Sequence, residues 1–213
     1  MRPRVGVYGG MFDPVHAGHL DVARLALDAL ALERVIFMPC KTPNHRAGAV
    51  ASGPQRLQML QLAFEEEGEA QFEVSDLELG REGVSYSVDT LAQLHAAEPA
   101  TDFVFIMGQD SLASLHTWER WQAFVADNLL AVVSRPGVEL SEAEQPWLRE
   151  RLVDDVEAFF AAGAGHVVAL SGLASPLSST QVRRALGAGE SLKGAVSSSV
   201  GDYIDRNRLY SLT

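Results

Sequence analysis

The stretch Val5-Gly6-Val7-Tyr8-Gly9-Gly10 (residues 5–10) is a short apolar run that ends in a pair of glycines. An apolar run of this length, bounded by glycine, is typical of a buried strand. In the segment that follows, Leu20, Ala23, Leu27 and Leu30 recur at helical spacing and share one face. A buried strand that leads into an amphipathic helix is the unit from which α/β folds are built.

The same alternation of apolar runs and helical stretches continues along the chain. Further sets of apolar residues at helical spacing are Leu57, Leu60 and Phe64, and Leu148, Leu152, Val156 and Phe159, which predict two more helices. The runs predicted to be strands are residues 5–8, 35–38, 72–74, 103–107, 129–134 and 167–170. We therefore expect a single α/β domain over residues 1–213, a Rossmann-like, doubly wound parallel sheet with helices on both faces.

The composition excludes several classes of protein. Of the 213 residues, 28 are acidic and 17 are Lys or Arg, and the net charge of -11 argues against binding to nucleic acid, which needs cations along the phosphates. The single cysteine, Cys40, excludes a disulfide scaffold and a cysteine-rich zinc module. No apolar stretch approaches the length of about 18 residues that a membrane span needs. We expect no secretory signal, because no long apolar run follows Met1. We expect a cytoplasmic protein without a nucleic-acid or membrane partner.

The end of the first predicted strand carries the strongest functional signal. In a doubly wound sheet, ligands bind beyond the carboxyl ends of the strands, where Gly9 and Gly10 let a ligand approach the backbone. His16 and His19 share a face of the next helix, and Gly18 adds no side chain between them. Two imidazoles beside free helix N–H groups can bind phosphate. Taken with the glycine pair, the histidines favour a phosphate site over a plain turn, a solvated histidine pair or half of a metal site. We predict no metal ligands in this chain.

A second candidate anion site follows the last predicted strand. Ser178 or Ser179 can cap the helix that begins there, and Thr180 and Arg183 lie three residues apart on one face. Hydroxyl groups, free N–H groups and a guanidinium can together bind phosphate oxygens. The alternative is an ordinary capped helix with surface arginines, a description that fits Arg184, which lies one position off this face.

These two segments together resemble the signatures of the nucleotidyltransferase superfamily, His-x-Gly-His and Ser-Ser-Thr-x-x-Arg. The longer string Gly9-Gly10-Met11-Phe12-Asp13-Pro14-Val15-His16-Ala17-Gly18-His19 is similar to that of the nicotinate-nucleotide adenylyltransferases. The resemblance implies that His16, His19 and Arg183 are catalytic, because the family uses these groups to bind ATP phosphates and to stabilise the departing pyrophosphate. It implies ATP binding by Gly9, Gly10, Met11, Phe12, His16, Gly18, His19, Gly108, Asp110, Ser178, Ser179, Thr180 and Arg183.

Three further segments resemble parts of that family that bind the nicotinate nucleotide. Trp118, which follows a Gly-x-Asp string, matches the tryptophan that stacks on the pyridine ring; by itself it would be read as a packing residue. Ser85 and Tyr86 match a string whose backbone N–H groups and first hydroxyl receive the nicotinate carboxylate. A basic loop after residue 39 also matches, although it could equally be a solvated surface. The implied nicotinate-nucleotide residues are Lys41, His45, Arg46, Ser85, Tyr86, Asp110 and Trp118.

The resemblance implies an adenylyl transfer in NAD biosynthesis, in which ATP and nicotinate mononucleotide give nicotinic acid adenine dinucleotide and pyrophosphate. The attacking phosphate is already ionised, which agrees with the absence of a recognisable Ser-His-Asp or Cys-His arrangement from the sequence. Mg²⁺ is expected to arrive with ATP, held mainly by the phosphates. The alternatives are a nicotinamide-mononucleotide or phosphopantetheine adenylyltransferase, or a non-catalytic nucleotide-sensing module. The sequence leaves monomer and homo-oligomer equally open.

Overall fold

A computed structural model describes residues 2–41, 50–134, 146–172, 177–190 and 194–210 of the chain. Within these ranges the six predicted strands form one sheet in which every neighbouring pair is parallel. The strands are β1 (Arg4–Gly10), β2 (Arg34–Pro39), β3 (Phe72–Val74), β4 (Asp102–Gly108), β5 (Leu129–Val133) and β6 (Val167–Leu170). The predicted α/β fold with a doubly wound parallel sheet is therefore confirmed.

The order of the strands creates a crevice at the middle of the sheet. The strands lie in the order β3-β2-β1-β4-β5-β6, so the chain runs outward from β1 in one direction and then crosses back to start again at β4. Tyr8 of β1 lies opposite Ile106 of β4. Gly9 and Gly10 therefore emerge beside the end of β4 at the point where the strand order reverses, which is where ligands bind in such sheets.

Helices cover both faces of the sheet, as predicted. The described helices are α1 (Ala17–Ala29), α2 (Gly53–Glu67), α3 (Leu77–Gly80), α4 (Ser87–Ala97), α5 (Gln109–Ala113), α6 (Trp121–Ala126), α7 (Val156–Ala162), α8 (Ser179–Gly187) and α9 (Ser198–Arg206), with 3₁₀ turns at Leu115–Thr117 and Pro146–Leu148. One face packs against α1, α2, α7 and α9 through residues that include Ala23, Leu60, Phe159 and Val200. The other face packs against α4, α5 and α6 through residues that include Leu91, Leu112 and Phe124.

The predicted helix through Leu148, Leu152, Val156 and Phe159 is wrong. The 3₁₀ turn ends at Leu148, Leu152 forms an isolated bridge beside β6, and a helix begins only with α7. Leu148 and Phe159 are both buried, but they lie in the two clusters on opposite faces of the sheet. The chain must therefore pass around the edge of the sheet between them, which one straight helix cannot do.

The start of α7 is set by a local signal in the sequence. The side chain of Asp155 accepts a hydrogen bond from the N–H of Ala158 at 2.8 Å, which is the usual arrangement at the first turn of a helix. Residues 135–145 lie outside the described residues. In the part of the chain that is described, no helix combines the length and the apolar character that a membrane crossing requires.

Candidate active site

A cleft of about 730 Å³ opens at the carboxyl ends of β1 and β4, at the point where the strand order reverses. The start of α8 closes its other side, so that residues near both ends of the chain meet there. The cleft brings together Gly9, Gly10, Met11, Phe12, His16, Gly18, His19, Gly108, Asp110, Ser178, Ser179, Thr180 and Arg183, together with Ser85, Tyr86 and Trp118. These sixteen sequence-predicted site residues are thus neighbours in one cavity.

The glycine pair at the end of β1 is required by close packing. A Cβ atom on Gly9 would lie 2.9 Å from the ring of Phe105, and one on Gly10 would lie 2.9 Å from the ring of Phe12. Phe12 is buried and has a φ of 48°, a left-handed conformation that non-glycine residues rarely adopt. A side chain at Gly9 would therefore displace the ring of Phe105, and one at Gly10 would displace the ring of Phe12.

His16 and His19 form a stacked pair at the start of α1. Their ring centroids lie 3.7 Å apart with an angle of 29° between the ring planes. Nδ1 of His19 accepts a hydrogen bond from the backbone N–H of His16 at 3.2 Å. Because Nδ1 is an acceptor, a neutral His19 carries its hydrogen on Nε2 and has one N–H group left to donate.

Burial keeps both imidazoles neutral in the absence of a ligand. It lowers the pKa of His16 to about 4. The pKa of His19 lies well below its usual value, mainly because of burial and to a smaller extent because of the neighbouring His16 ring. Nδ1 of His16 is buried and has no hydrogen-bond partner among the described residues. An unpaired buried polar atom is unfavourable in the folded protein.

The start of α8 is tied to the loop after β1. Ser178 is the cap, since its side chain accepts a hydrogen bond from the N–H of Gln181 at 3.3 Å. The hydroxyl of Ser179 donates to the carbonyl of Pro14 at 3.2 Å, and Nη1 of Arg183 donates to the carbonyl of Asp13 at 2.7 Å. These bonds hold the hydroxyls and the guanidinium of α8 against the histidine-bearing segment. Arg184 is exposed, as its position off the face predicts.

The residues predicted for the nicotinate nucleotide occupy the far side of the cleft. Trp118 is half-buried, lines the cleft and packs edge-on against Phe105, with ring centroids 6.1 Å apart. It is therefore both a packing residue and part of the cavity wall. Tyr86 directly precedes α4, and the hydroxyl of Ser85 donates to the backbone carbonyl of Glu78 at 3.0 Å. The Ser85 hydroxyl hydrogen is thus used within the protein, which leaves its oxygen as an acceptor.

The basic loop is placed only in part. Lys41 is exposed, is not among the described residues that line the cleft, and donates to the carbonyl of Arg81 at 2.5 Å. His45 and Arg46 lie outside the described residues. Among the described site residues, Lys41 is therefore the one that the structure does not bring into the cleft.

Two charged residues of this region had no role in the sequence analysis. Arg56 of α2 is 1% exposed, and its Nη1 donates to the carbonyl of Met11 at 2.8 Å, which anchors the loop after β1. A charge on the apolar face of a helix is the signal that could have singled it out. Glu78 lines the cleft, accepts a hydrogen bond from the hydroxyl of Thr90 at 2.8 Å, and has its pKa raised by burial. No local spacing marks Glu78.

The described residues contain no group of three or more His, Cys, Asp or Glu side chains that could hold a metal ion. The groups that the cleft offers to an anion are imidazole, hydroxyl, guanidinium and helix N–H donors. Such a set suits a polyphosphate.

Comparisons with known proteins agree with this chemistry. Residues 7–185 match the cytidylyltransferase-like family. A probable nicotinate-nucleotide adenylyltransferase of Neisseria meningitidis serogroup B is 37% identical over 210 residues, which cover 97% of this chain and 98% of the relative. The corresponding protein of Cellvibrio japonicus is 39% identical over an alignment of 214 positions, which covers 99% of this chain and all of the relative.

Solved structures share the fold. The nicotinic acid mononucleotide adenylyltransferase of Plasmodium falciparum, in complex with NaAD, superposes with a TM-score of 0.78 at 17% identity and covers 98% of this chain and 97% of its own. A second structure of that protein, in complex with APC, has a TM-score of 0.76 at 16% identity, with the same coverage. At these identities the likeness establishes the fold alone.

Proposed function

This chain belongs to the cytidylyltransferase-like family and, within it, to the nicotinate-nucleotide adenylyltransferases, and we propose that it transfers the AMP moiety of ATP to nicotinate mononucleotide. The products would be nicotinic acid adenine dinucleotide and pyrophosphate, in NAD biosynthesis. The observation that carries the proposal is the meeting of the His16–His19 pair with Arg183 in one cleft. The 37% to 39% identity of full-length relatives with that name supports the choice of substrates.

The proposed reaction is an in-line displacement at phosphorus. A phosphate oxygen of nicotinate mononucleotide attacks the α-phosphorus of ATP and forms a new P–O bond. The bond from the α-phosphorus to its bridging oxygen breaks, and pyrophosphate leaves with the electron pair. Because the attacking oxygen is already ionised, no general base is needed, and catalysis rests on alignment and on donors aimed at the developing charge.

The donors for that charge would come from both ends of the chain. Nε2–H of His19 is free to donate, since Nδ1 is occupied by the backbone of His16. His16 also lines the cleft and would offer a second imidazole contact. Thr180 and Arg183 would supply a hydroxyl and a fixed positive charge from α8, whose first turn also presents backbone N–H groups. Groups held in place by packing need little reorganisation during the reaction.

Mg²⁺ would enter as part of the ATP substrate. The described residues form no cluster of three potential ligands, which supports coordination mainly by phosphate oxygens. The ion would neutralise charge on the phosphates while His16, His19 and Arg183 bind their remaining oxygens. Removal of Mg²⁺ with EDTA is therefore expected to stop the reaction, and added Mg²⁺ to restore it.

The second nucleotide would bind between Trp118 and the start of α4. A flat indole ring suits a cationic pyridine ring, and Trp118 is held in the cavity wall by Phe105. The backbone N–H groups around Ser85 and Tyr86 would receive the nicotinate carboxylate, and Asp110 would lie near both nucleotides.

Residues 1–213 would form a single nucleotidyltransferase domain, and the lone cysteine agrees with a cytoplasmic location.

The test is pyrophosphate release from MgATP, with nicotinate mononucleotide and nicotinamide mononucleotide supplied in parallel. A strong preference for the acid is expected. A preference for the amide would assign the chain to the nicotinamide branch and would discard the assignment at Ser85 and Tyr86. If neither acceptor leads to pyrophosphate release although the protein still binds ATP, phosphopantetheine is tested next. Failure with that acceptor too would indicate a nucleotide sensor rather than an enzyme. His19→Ala serves as the inactive control and His116→Ala, an exposed histidine, as its matched partner.

A further inference from the structure

Asp13 carries a buried carboxylate three residues before His16, and only 3% of the residue is exposed. Its Oδ2 accepts a hydrogen bond from the N–H of Val50 at 2.8 Å, and its Oδ1 accepts one from the N–H of Ala51 at 3.1 Å. The hydroxyl of Tyr210 donates to the same Oδ1 at 2.7 Å. A buried carboxylate is tolerated only with such bonds, and together they leave Asp13 a single orientation.

The backbone of Asp13 in turn orients Arg183. Nη1 of Arg183 donates to the Asp13 carbonyl at 2.7 Å and lies 4.0 Å from Oδ2 of the same residue. Nη2 donates to the hydroxyl of Thr180 at 3.4 Å. Because a guanidinium is a rigid planar fork, fixing two of its nitrogens fixes the direction of the whole group. The position of Asp13 therefore decides where Arg183 points in the cleft.

Tyr210 supports this arrangement from outside the cleft. It is buried after the end of α9, and the described residues that line the cleft do not include it. Its φ of 62° is left-handed, which for a tyrosine indicates that tertiary contacts hold the backbone in place. Burial, with the hydrogen bond to Asp13, raises the pKa of Tyr210 far above its usual value. The phenol thus stays protonated and remains a donor.

We propose that Tyr210 is a positioning residue for adenylyl transfer, which acts through Asp13 on Arg183. This inference rests on the function proposed above. Tyr210 touches no reacting group; its hydroxyl fixes the carboxylate of Asp13, and the carbonyl of Asp13 fixes the guanidinium. Without the hydroxyl, the loop that joins β1 to His16 gains freedom, and Arg183 is no longer held at the angle that suits the departing pyrophosphate.

The test is the variant Tyr210→Phe, which keeps the ring volume and removes only the hydroxyl. Its matched control is Tyr203→Phe, a half-buried tyrosine on α9 that is also remote from the cleft. Steady-state kcat and KM for ATP are measured for both variants in the wild-type chain and in the Arg183→Ala chain. Circular dichroism gives the thermal unfolding midpoint of each variant. All rates are measured at a temperature well below the lowest of these midpoints, so that unfolded protein does not lower the measured kcat.

We expect Tyr210→Phe to lower kcat on the order of tenfold with little change in KM for ATP, and Tyr203→Phe to leave both unchanged. In the Arg183→Ala chain, Tyr210→Phe should lower kcat further by less than about twofold, because the group that it positions is already absent. The proposal is overturned if Tyr210→Phe matches Tyr203→Phe, or if the losses from Tyr210→Phe and Arg183→Ala multiply. A wild-type protein that releases no pyrophosphate would overturn the proposed function and this inference together.

Discussion

The imidazole rings of His16 and His19 lie face to face, 3.7 Å apart between centroids. Two positive charges at this separation would repel strongly, so protonation of one ring disfavours protonation of the other. Because burial lowers the pKa of both rings, an approaching polyphosphate meets neutral hydrogen-bond donors rather than a pair of cations. The fixed positive charge of this group is supplied by Arg183.

The variant His19→Ala is expected to lower kcat for pyrophosphate release roughly thirtyfold to a thousandfold, which corresponds to a loss on the order of 2–4 kcal/mol in transition-state stabilisation. The reason is the loss of the Nε2–H donor, whose direction is fixed by the bond between Nδ1 and the His16 backbone. Initial rates at saturating MgATP measure the effect. An unchanged turnover number in His19→Ala would remove His19 from the reaction.

The stability of the free protein should fall as the solution is acidified from pH 7 towards pH 4. The unfolded chain protonates His16 near its ordinary pKa of 6.5, whereas the folded protein does so only near its pKa of about 4. Between these values the unfolded state binds more protons, so the free energy of unfolding decreases as pH falls, by about 3 kcal/mol from His16 alone.

Urea unfolding at several pH values between 7 and 4 measures this slope. The variant His16→Gln removes the titrating group, so its free energy of unfolding should depend less steeply on pH than that of the wild type. The difference between the two curves isolates the histidine from the many carboxylates that also titrate in this range. Parallel curves would show that His16 is not held neutral by burial.

Substitution by alanine should have different effects at two glycines on neighbouring central strands: one variant should lose stability, and the other should lose affinity for ATP. A Cβ on Gly6 would lie 2.7 Å from Cδ1 of Ile106, so Gly6→Ala should destabilise the fold by about 1–3 kcal/mol. A Cβ on Gly108 meets no described atom within 4 Å, and Gly108 lines the cleft. Gly108→Ala should therefore leave the unfolding midpoint unchanged and raise KM for ATP, on the order of tenfold.

Thermal unfolding and ATP kinetics on the same two preparations decide the point. If Gly108→Ala binds ATP as tightly as the wild type, the nucleotide does not approach the end of β4. If Gly6→Ala is as stable as the wild type, the packing between β1 and β4 is looser than the distances indicate.

The variant Trp118→Leu is expected to raise KM for nicotinate mononucleotide roughly tenfold while KM for ATP changes little. The aromatic face that would meet the pyridine ring is lost, whereas the phosphate donors are untouched. Trp121→Leu is the matched control, since Trp121 is half-buried, packs near Trp147 with ring centroids 5.9 Å apart, and does not line the described part of the cleft. Equal effects of the two variants on both KM values would reduce Trp118 to a packing residue.

The sheet could be predicted because its strands are marked locally. Each is a short apolar run, and burial on both faces makes such runs nearly continuous in a parallel sheet. The donors of the cleft could be predicted for a related reason: His16 and His19, or Thr180 and Arg183, are one helical turn apart, and each pair follows a strand. Local spacing was sufficient there.

The contacts that orient these donors could not be predicted in this way. Tyr210 reaches Asp13 across 197 residues, and no spacing within the sequence encodes that meeting. Arg56 anchors the loop after β1 through a carbonyl 45 residues earlier. The apolar spacing from Leu148 to Phe159 was misleading for a similar reason, because helical periodicity does not reveal that the two ends pack on opposite faces of a sheet.

The central position of β1 also bears on how the protein folds. β1 pairs on one side with β2, where Val5 meets Arg34, and on the other with β4, where Arg4 meets Asp102. The second pairing closes a loop of nearly a hundred residues, which raises the contact order and slows folding. During synthesis on the ribosome, the crevice beside β1 cannot form until β4 has been made, and its other wall cannot form until α8 has been made. We therefore expect a nascent chain to acquire nucleotide affinity only after α8 has been translated.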